Sequence, residues 1–347
     1  MSAHVRLAVM GGGYWGRNLI RNFAALEGVE VKLLCELNEE ASRECKELHP
    51  SLETCTDQGR IFQDNEVDGV VVCTPPSLHY QPAKEALTGG KHVFVEKPMA
   101  MSYHEGRELV ALADKQGKVL FVDETFLYDP ALRVIKKMLD GGAIGKLYHI
   151  LMERLGMGRV RCDSNVWWNS APHDLSILRY LMGRKVQSIS LHGSAYLQKG
   201  IEDVTLASLE LEGGMSAWIH LSWFHPLNTA SLVIIGNTGA IFYEGRFAKR
   251  KVILYSYDVG KPPTQRVRGI PTPNFIPIKA SVEKEITEFG AEEPLRVSCA
   301  SFAKAITEGI EPPSSGRHSL QTLQVLEAAQ ISLRKGGEKV FLEEVGP

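Results

Sequence analysis

The first third of the chain alternates short apolar runs with segments of helical periodicity. In those segments apolar residues recur every three to four positions, as Leu19, Ile20 and Phe23 do. The runs between them are almost continuously apolar and rich in valine, which is typical of strands buried on both faces of a parallel sheet. The predicted strands are 5–10, 29–37, 67–73, 92–95 and 119–122, and the predicted helices are 14–26, 39–48, 81–87 and 105–116. This alternation predicts a doubly wound α/β domain over residues 1–123.

After residue 123 the pattern changes to longer segments in which apolar and polar residues alternate. Gly213–Gly214 and Asn237-Thr238-Gly239 lie between such segments and predict hairpin turns. The predicted strands are 147–155, 186–196, 204–211, 215–223, 232–235 and 251–257, and the predicted helices are 129–139, 294–308 and 319–333. The segment 258–279 holds five prolines and predicts a cover loop. Residues 124–347 are therefore predicted to form an α+β domain with a mostly antiparallel, open-faced sheet.

Composition narrows the class of protein. Of the 347 residues, 44% are hydrophobic and 23% are charged, which excludes a disordered chain. A net charge of −2 gives no general attraction to nucleic acid or to an anionic membrane. No apolar run approaches the ~20 residues that span a bilayer, and the first strand begins at Val5, so we expect no secretory leader. The six cysteines form no CxxC pair and predict reduced thiols and no metal site. We therefore expect a cytoplasmic protein without nucleic-acid or membrane partners.

A glycine-rich loop follows the first predicted strand directly. Gly11-x-Gly13-x-x-Gly16 opens the first helix, the context in which such a loop binds a dinucleotide pyrophosphate. An acid is expected ~20 residues further on to accept the ribose hydroxyls, and Glu36 stands there. Because a carboxylate repels a 2′-phosphate, the sequence predicts NAD rather than NADP. Arg43 is the nearest residue that could instead accept that phosphate.

Two more loops follow later strands of the same domain, Thr74-Pro75-Pro76-Ser77-Leu78-His79 and Glu96-Lys97-Pro98. Ligands of open α/β sheets bind at the carboxyl ends of the strands, where both loops are expected. On spacing alone, the favoured interpretation of Lys97 is a surface lysine after a strand.

Taken together and in this order, the motifs resemble those of the Gfo/Idh/MocA family of sugar and polyol oxidoreductases. The resemblance covers nearly the whole chain. It includes the loop Gly11-Gly12-Gly13-Tyr14-Trp15-Gly16, the two loops above, Ala171-Pro172-His173-Asp174 and Glu293-Pro294-Leu295-Arg296. The Gly-Tyr-Trp-Gly loop is similar to that of a branch whose members look like nucleotide-sugar 3-dehydrogenases. The resemblance implies a Rossmann domain followed by a domain that carries the substrate pocket and the oligomer contacts. It implies cofactor contacts from Gly11, Gly13, Tyr14, Trp15, Gly16, Glu36, Thr74, Pro75, His79, Glu96 and Lys97.

The resemblance also implies that Lys97 and His173 flank the nicotinamide and the substrate. We interpret His173 as the base that takes the hydroxyl proton, and Lys97 as the group that stabilises the developing alkoxide. Ser170 followed by proline predicts a helix start, which would place His173 at the positive end of a helix and favour the neutral ring. Many relatives carry aspartate where this chain has Asn169, the third expected catalytic residue. We therefore hypothesise that Glu124 supplies the missing negative charge.

The substrate is predicted from a basic segment in the second domain. Arg154, Arg159 and Arg161 precede Trp168 along the chain, and guanidinium groups with indoles suit a nucleotide-linked or acidic sugar. The alternatives are a solvated basic loop, a free polyol such as an inositol as substrate, reduction of an imine or bilin, or a non-catalytic dinucleotide sensor. An uncovered sheet face, expected to include Trp218 and Trp223, predicts a homodimer or homotetramer.

Overall fold

The computed structural model describes residues 4–158, 160–245, 250–261, 266–271 and 275–346. In chain order the strands are β1 Val5–Met10, β2 Val29–Cys35, β3 Glu53–Cys55, β4 Gly69–Val72, β5 His92–Glu96, β6 Leu120–Asp123, β7 Leu147–Met157, β8 Val186–Ser194, β9 Val204–Leu211, β10 Met215–Ser222, β11 Phe224–Gly236, β12 Gly239–Glu244, β13 Lys251–Val259, β14 Arg266–Val267, β15 Ile270–Pro271, β16 Ile278–Ile286 and β17 Val340–Phe341. The helices are α1 Tyr14–Ala24, α2 Glu39–Leu48, α3 Gly59–Gln63, α4 Tyr80–Thr88, α5 Tyr103–Gln116, α6 Pro130–Asp140, α7 Val166–Met182, α8 Pro294–Glu308 and α9 Gly316–Arg334. None of the helices in these ranges is both long and apolar enough to cross a membrane.

The first sheet is a six-stranded parallel sheet in the order β3-β2-β1-β4-β5-β6. The order reverses between β1 and β4, and ligands of doubly wound sheets bind outside the strand ends at such a reversal. The predicted α/β architecture is confirmed. β3 and α3 were not predicted, because both are short and β3 is largely exposed, so neither carries a clear apolar pattern.

The second sheet has nine strands in the order β16-β13-β12-β11-β7-β10-β9-β8-β17. Its neighbours are antiparallel except for β7 and β10, which confirms the mostly antiparallel sheet. Buried and exposed residues alternate along β9, because one face packs under helices and the other remains open. Trp218 is half exposed on the open side, whereas Trp223 is only 9% exposed, so its expected place on the uncovered face is wrong.

Strand β16 was not predicted. It lies at the edge of the second sheet, and its residues are exposed on both faces apart from the last. A strand without a buried face has no periodicity that a sequence pattern can reveal. The expected cover loop 258–279 is therefore wrong at both ends, where β13 continues to Val259 and β16 begins at Ile278. Residues 262–265 and 272–274 of that loop lie outside the described residues.

The largest correction concerns α7. This helix begins at Val166 rather than at Ser170, and its N-cap is Asn165, whose side chain accepts a hydrogen bond from the Trp168 backbone N–H at 3.1 Å. The first turn is held by Trp167, which is completely buried and donates from Nε1 to the Leu326 carbonyl of α9 at 3.3 Å. This packing outweighs the helix-start signal of the proline, which lies inside the helix.

Helix α8 joins the two parts of the molecule. Although it comes late in the chain, Phe302 packs against Phe94 and Phe121 of the first sheet, with ring centroids 5.5 and 5.7 Å apart. Just before α8, Glu293 forms an ion pair with Arg21 of α1. The first sheet is therefore covered on one side by a helix from the end of the chain.

Candidate active site

A cleft of about 1030 Å³ runs along the carboxyl ends of β1, β2, β4 and β5 and reaches the first half of α7. Most of the residues that the sequence singled out line this cleft. They are Gly11, Gly13, Tyr14, Trp15, Glu36, Thr74, Pro75, His79, Glu96, Lys97, Arg161, Trp168 and Asn169. The fold thus brings the glycine loop and the start of α7 to one continuous cavity, although they are more than 150 residues apart in the chain.

The structure gives a different geometric reason for glycine at each of the three positions of the loop. Gly11 has a φ of +100°, and a Cβ there would lie 2.8 Å from the Cys73 carbonyl oxygen. A Cβ at Gly16 would lie 2.0 Å from the Gly11 carbonyl oxygen, so only glycine lets α1 approach β1 this closely. A Cβ at Gly13 would meet nothing within 4 Å. The space over Gly13 is therefore open on the side of the cleft.

This open space suits a pyrophosphate. Gly13 is the N-cap of α1 and provides no side-chain hydrogen bond to the first turn, which contains no acidic residue. Backbone N–H groups at a helix N-terminus and the positive end of the helix dipole bind phosphate oxygens. The residues present fit a dinucleotide at this loop.

Glu36 stands directly after β2, at the position expected for the ribose acceptor. Its Oε2 accepts from the Gly12 backbone N–H at 2.5 Å and its Oε1 accepts from the Asn38 backbone N–H at 2.7 Å. Both bonds fix the carboxylate at the edge of the cleft, with further lone pairs left for ribose hydroxyls. Arg43 lines a neighbouring cavity of about 760 Å³ together with Glu36.

His79 anchors the second loop rather than offering a free ring. It is 1% exposed, and its two ring nitrogens lie 2.8 Å from the Pro98 carbonyl oxygen and 2.7 Å from the Thr74 carbonyl oxygen. Burial lowers the pKa of this histidine. The imidazole thus ties the loop that contains Thr74 and Pro75 to the loop that contains Lys97.

Lys97 reaches across the cleft to α7. Its Nζ donates to the Asn169 backbone carbonyl at 2.9 Å, and the Asn169 amide donates from Nδ2 to Ser170 Oγ at 3.3 Å. Burial lowers the pKa of Lys97, an effect that Glu96 opposes and that Arg154 reinforces. Lys97 is therefore neutral, and able to accept a proton, at a lower pH than a surface lysine.

His173 lies one helical turn after Asn169 and hence on the same face of α7. Its ring meets the Phe126 ring edge to face at 4.7 Å, and its buried Nδ1 has no hydrogen-bond partner among the described residues. Burial, followed by the charges of Lys97 and Arg154, lowers the pKa of His173 well below its ordinary value. The predicted neutral ring is thus explained by burial and neighbouring cations, and not by a helix N-terminus, since α7 begins seven residues earlier.

The arginines of the predicted basic segment are paired with carboxylates. Arg154 binds Asp174 through Nε at 3.1 Å and Nη2 at 3.0 Å, and Asp174 is 3% exposed. Arg161 binds Asp163 through Nε at 2.7 Å and Nη2 at 2.5 Å. Each pair uses Nε and Nη2 of its guanidinium, so the positive charge that was expected to recognise an acidic substrate is already balanced by a carboxylate.

Trp168 and Arg159 are the other two residues that were predicted to bind the substrate. Trp168 lines the cleft, but its ring nitrogen donates to Gln330 Oε1 at 3.0 Å, which orients the indole from α9. Arg159 lies outside the described residues.

Glu124 does not face the cleft residues. It is 2% exposed, its Oε2 accepts from Arg179 Nη2 at 3.0 Å, and its Oε1 accepts from Thr322 Oγ1 at 3.3 Å. Burial raises the pKa of Glu124, and Arg179 opposes that shift. The hypothesis that Glu124 replaces the missing carboxylate near Lys97 has no geometric support, because both of its oxygens are bound to α7 and α9.

Three residues near the candidate catalytic groups were given no role from the sequence. Asp174 holds Arg154, Phe126 packs between Arg154 and His173, and Asp123 lies next to Glu96 on the neighbouring strand. Two of them had a signal, since Asp174 follows His173 in a motif that carries the family resemblance and Asp123 directly follows a predicted strand.

Comparison with known proteins agrees with this geometry. Residues 5–124 match the family model described as an oxidoreductase family with an NAD-binding Rossmann fold, and residues 132–242 match the GFO/IDH/MocA C-terminal domain. The chain is 25% identical to an uncharacterized oxidoreductase, YrbE, of Bacillus subtilis, over 97% of this chain and 96% of that protein. It is 27% identical to scyllo-inositol 2-dehydrogenase (NAD(+)) of the same organism, over 70% of this chain and 74% of that protein.

A solved structure shows the same fold over nearly the full length. UDP-N-acetylglucosamine 3-dehydrogenase GnnA from Acidithiobacillus ferrooxidans superimposes with a TM-score of 0.79, covers 96% of this chain and 99% of that chain, and is 20% identical.

Proposed function

The chain belongs to the Gfo/Idh/MocA oxidoreductase family, and we propose that it is an NAD-dependent dehydrogenase of a hydroxyl-bearing carbon on a sugar or nucleotide sugar. The observation that carries this proposal is the contact between Lys97 Nζ and the Asn169 carbonyl, 2.9 Å, at the end of the cleft that starts at the glycine loop. It joins a lysine with a lowered pKa to the helix that carries His173, and we propose that the substrate hydroxyl meets the nicotinamide there. The relatives named for inositol and UDP-N-acetylglucosamine oxidation support the same substrate class.

When bound, NAD supplies the acceptor for the hydride that leaves the carbinol carbon. The protein has to remove the hydroxyl proton and stabilise the charge that develops on the oxygen. His173 is suited to accept that proton, because its lowered pKa keeps the ring neutral at pH 7 and its Nδ1 is unpartnered among the described residues. Lys97 is suited to hold the developing alkoxide, while the Asn169 amide can bind a neighbouring hydroxyl.

The bidentate pairs of Arg154 and Arg161 favour a substrate whose reacting part is neutral. A free sugar or polyol meets this condition, and so does the sugar ring of a nucleotide sugar whose phosphates lie outside the inner cleft. The proposal therefore retains both substrate classes and makes the choice a matter for assay.

The test is a panel of nucleotide sugars, free sugars and inositols assayed with NAD and NADP by absorbance of the reduced cofactor. Lys97→Met and His173→Asn should each lower kcat by ~10²-fold or more, the usual effect of losing a proton-handling group, and should leave NADH binding nearly unchanged. His225→Asn, on the partly exposed surface of β11, is the matched control. If both site variants retain full activity, or if no substrate reduces the cofactor, a non-catalytic dinucleotide sensor becomes the better proposal.

For assembly and location we propose a cytoplasmic homodimer or homotetramer, with the dinucleotide-binding domain ending at residue 123. The open face of the second sheet supports this, since Leu206 is 53% and Trp218 50% exposed there. Apolar area of this kind is normally covered in a soluble protein. Sedimentation of the wild type and of Trp218→Glu tests the proposal, and a concentration-independent monomer mass for the wild type would refute it.

A further inference from the structure

Two buried carboxyl groups lie side by side next to Lys97. Glu96 is the last residue of β5, Asp123 is the last residue of β6, and the register of these parallel strands makes them direct neighbours. Glu96 is 8% and Asp123 1% exposed. Buried carboxylates this close cannot both ionise without a large electrostatic cost.

The hydrogen bonds around this acid pair are incomplete. Asp123 Oδ1 accepts from Ser298 Oγ of α8 at 2.7 Å, whereas Oδ2 is buried and meets no standard donor among the described residues. Glu96 Oε2 accepts from the Lys97 backbone N–H at 3.2 Å. A buried carboxylate oxygen without a donor is costly, and a proton held between the two carboxyl groups removes that cost.

The other groups that face the acid pair are neutral. Cys73, directly after β4, is adjacent to Glu96, and Cys299 of α8 interacts with both acids. Burial raises the pKa of each thiol well above its ordinary value. Burial likewise raises the pKa of Tyr128, whose hydroxyl bonds Ser301 and Ser314. Thr125, two residues after Asp123, carries no charge. Among the described residues, Lys97 is the cation with the largest effect on the pKa of both acids.

Burial dominates the acidity of both members. It raises the pKa of Glu96 to about 8, with Asp123 as the second cause, and the pKa of Asp123 to about 6, against the opposing bond from Ser298. Because the two groups interact, their protons leave in two steps that belong to the pair and not to either residue alone. With the pKa of Glu96 raised to about 8, the acid pair still holds one proton and one negative charge at pH 7.

We propose that Glu96 and Asp123 share one proton and that the negative charge left on the acid pair acts on Lys97, the group that holds the developing alkoxide. This inference rests on the proposed dehydrogenase function. In the step, the substrate O–H bond breaks and an N–H bond forms on the neutral His173 ring, while the electron pair of the substrate C–H bond leaves as hydride to NAD. The shared proton stays on the acid pair throughout, and the charge of the pair favours the ammonium form of Lys97, which donates to the alkoxide.

The location of the pair supports this role. Glu96 lines the cleft and is the neighbour of Lys97 in the chain. The acid pair supplies near Lys97 the negative charge that Asn169 does not provide. Glu96 and Asp123 are therefore positioning residues that act through Lys97.

The first test needs no substrate or cofactor. Infrared spectra of the wild type at pH 7 should contain the carbonyl stretch of a buried protonated carboxyl group, and this band should disappear above about pH 8. The double variant Glu96→Gln, Asp123→Asn should lack the band, and the surface variant Asp140→Asn should keep it. A wild type without the band at pH 7 would overturn the proton-sharing pair and would leave the proposed function intact.

The second test separates an electrostatic role from a structural role. The double variant Glu96→Gln, Asp123→Asn removes the charge of the acid pair, so the limb of the pH profile that belongs to Lys97 should move to lower pH and kcat at pH 7 should fall by ~10-fold. Glu96→Gln keeps one carboxylate and should retain part of the activity. NADH affinity should stay nearly constant in both variants. Wild-type activity and an unchanged pH profile in the double variant would overturn the proposal. Lys97→Met with full activity would instead remove the proposed function itself. If the double variant does not fold, the infrared titration of the wild type still decides.

Discussion

Replacing Gly13 by valine should remove dinucleotide binding and leave the fold intact. The backbone at Gly13 has φ −66° and ψ −163°, which valine adopts without strain. Its Cβ would meet no protein atom within 4 Å, so no overpacking arises. Because glycine provides no side-chain cap to α1, the variant loses only the intrinsic preference for glycine over valine at an N-cap, about 1 kcal/mol or less.

The effect on binding should be much larger than the effect on stability. The new side chain would fill the space over the N-terminal turn of α1, where phosphate oxygens have to approach the backbone N–H groups. A hydrogen bond to a charged group contributes about 1.5–3 kcal/mol. Losing one such bond raises the NADH dissociation constant by roughly 10- to 150-fold, and losing two multiplies these factors.

The assay is NADH titration by fluorescence, combined with urea unfolding of the same variants. Gly290→Val is the matched control, because a Cβ at Gly290 meets only Pro130 Cβ, at 4.0 Å. Neither Gly290 nor Pro130 lines the cleft. Gly16→Ala is the opposite control, since its Cβ would lie 2.0 Å from the Gly11 carbonyl oxygen and should destabilise the protein itself. If Gly13→Val binds NADH as tightly as Gly290→Val, the pyrophosphate does not lie over Gly13 and the reasoning is refuted.

Three further outcomes follow from the site. Glu36→Gln should improve NADPH affinity by ~10-fold, because two like unit charges about 5 Å apart in water repel by about 0.8 kcal/mol and a phosphate carries nearly two negative charges. An unchanged ratio of NADH to NADPH affinity would mean that Arg43 already compensates. Glu124→Gln should change kcat by less than ~3-fold, since that carboxylate binds Arg179 and not the cleft residues, and a loss of the ~10²-fold size typical of a proton-handling group would restore its catalytic hypothesis. Because burial lowers the pKa of His173, kcat/KM for oxidation should stay constant as the pH falls through 6.5 and decline only at more acidic pH; a midpoint at 6.5 in the pH profile would contradict the buried ring.

Local sequence determined the dinucleotide half of the protein. The alternation of valine-rich runs and helical segments predicted the parallel sheet, and Gly11, Gly13 and Gly16 predicted the phosphate loop between β1 and α1. Glu36 and Lys97 could be placed because each follows a buried strand, and the carboxyl ends of parallel strands meet at one edge. These inferences need only a few consecutive residues, because turn geometry and strand burial are set by neighbours in the chain.

The catalytic end depends on contacts between distant segments. Packing of Trp167 against α9 moves the start of α7 to Val166 and removes His173 from a helix end. Glu124 binds Arg179 and Thr322, 55 and 198 positions further along the chain. Glu96 and Asp123 become neighbours only through the register of β5 and β6. The charge state of each of these groups depends on burial and on partners that the fold supplies, so it was decided by tertiary structure and could not be read from residue types.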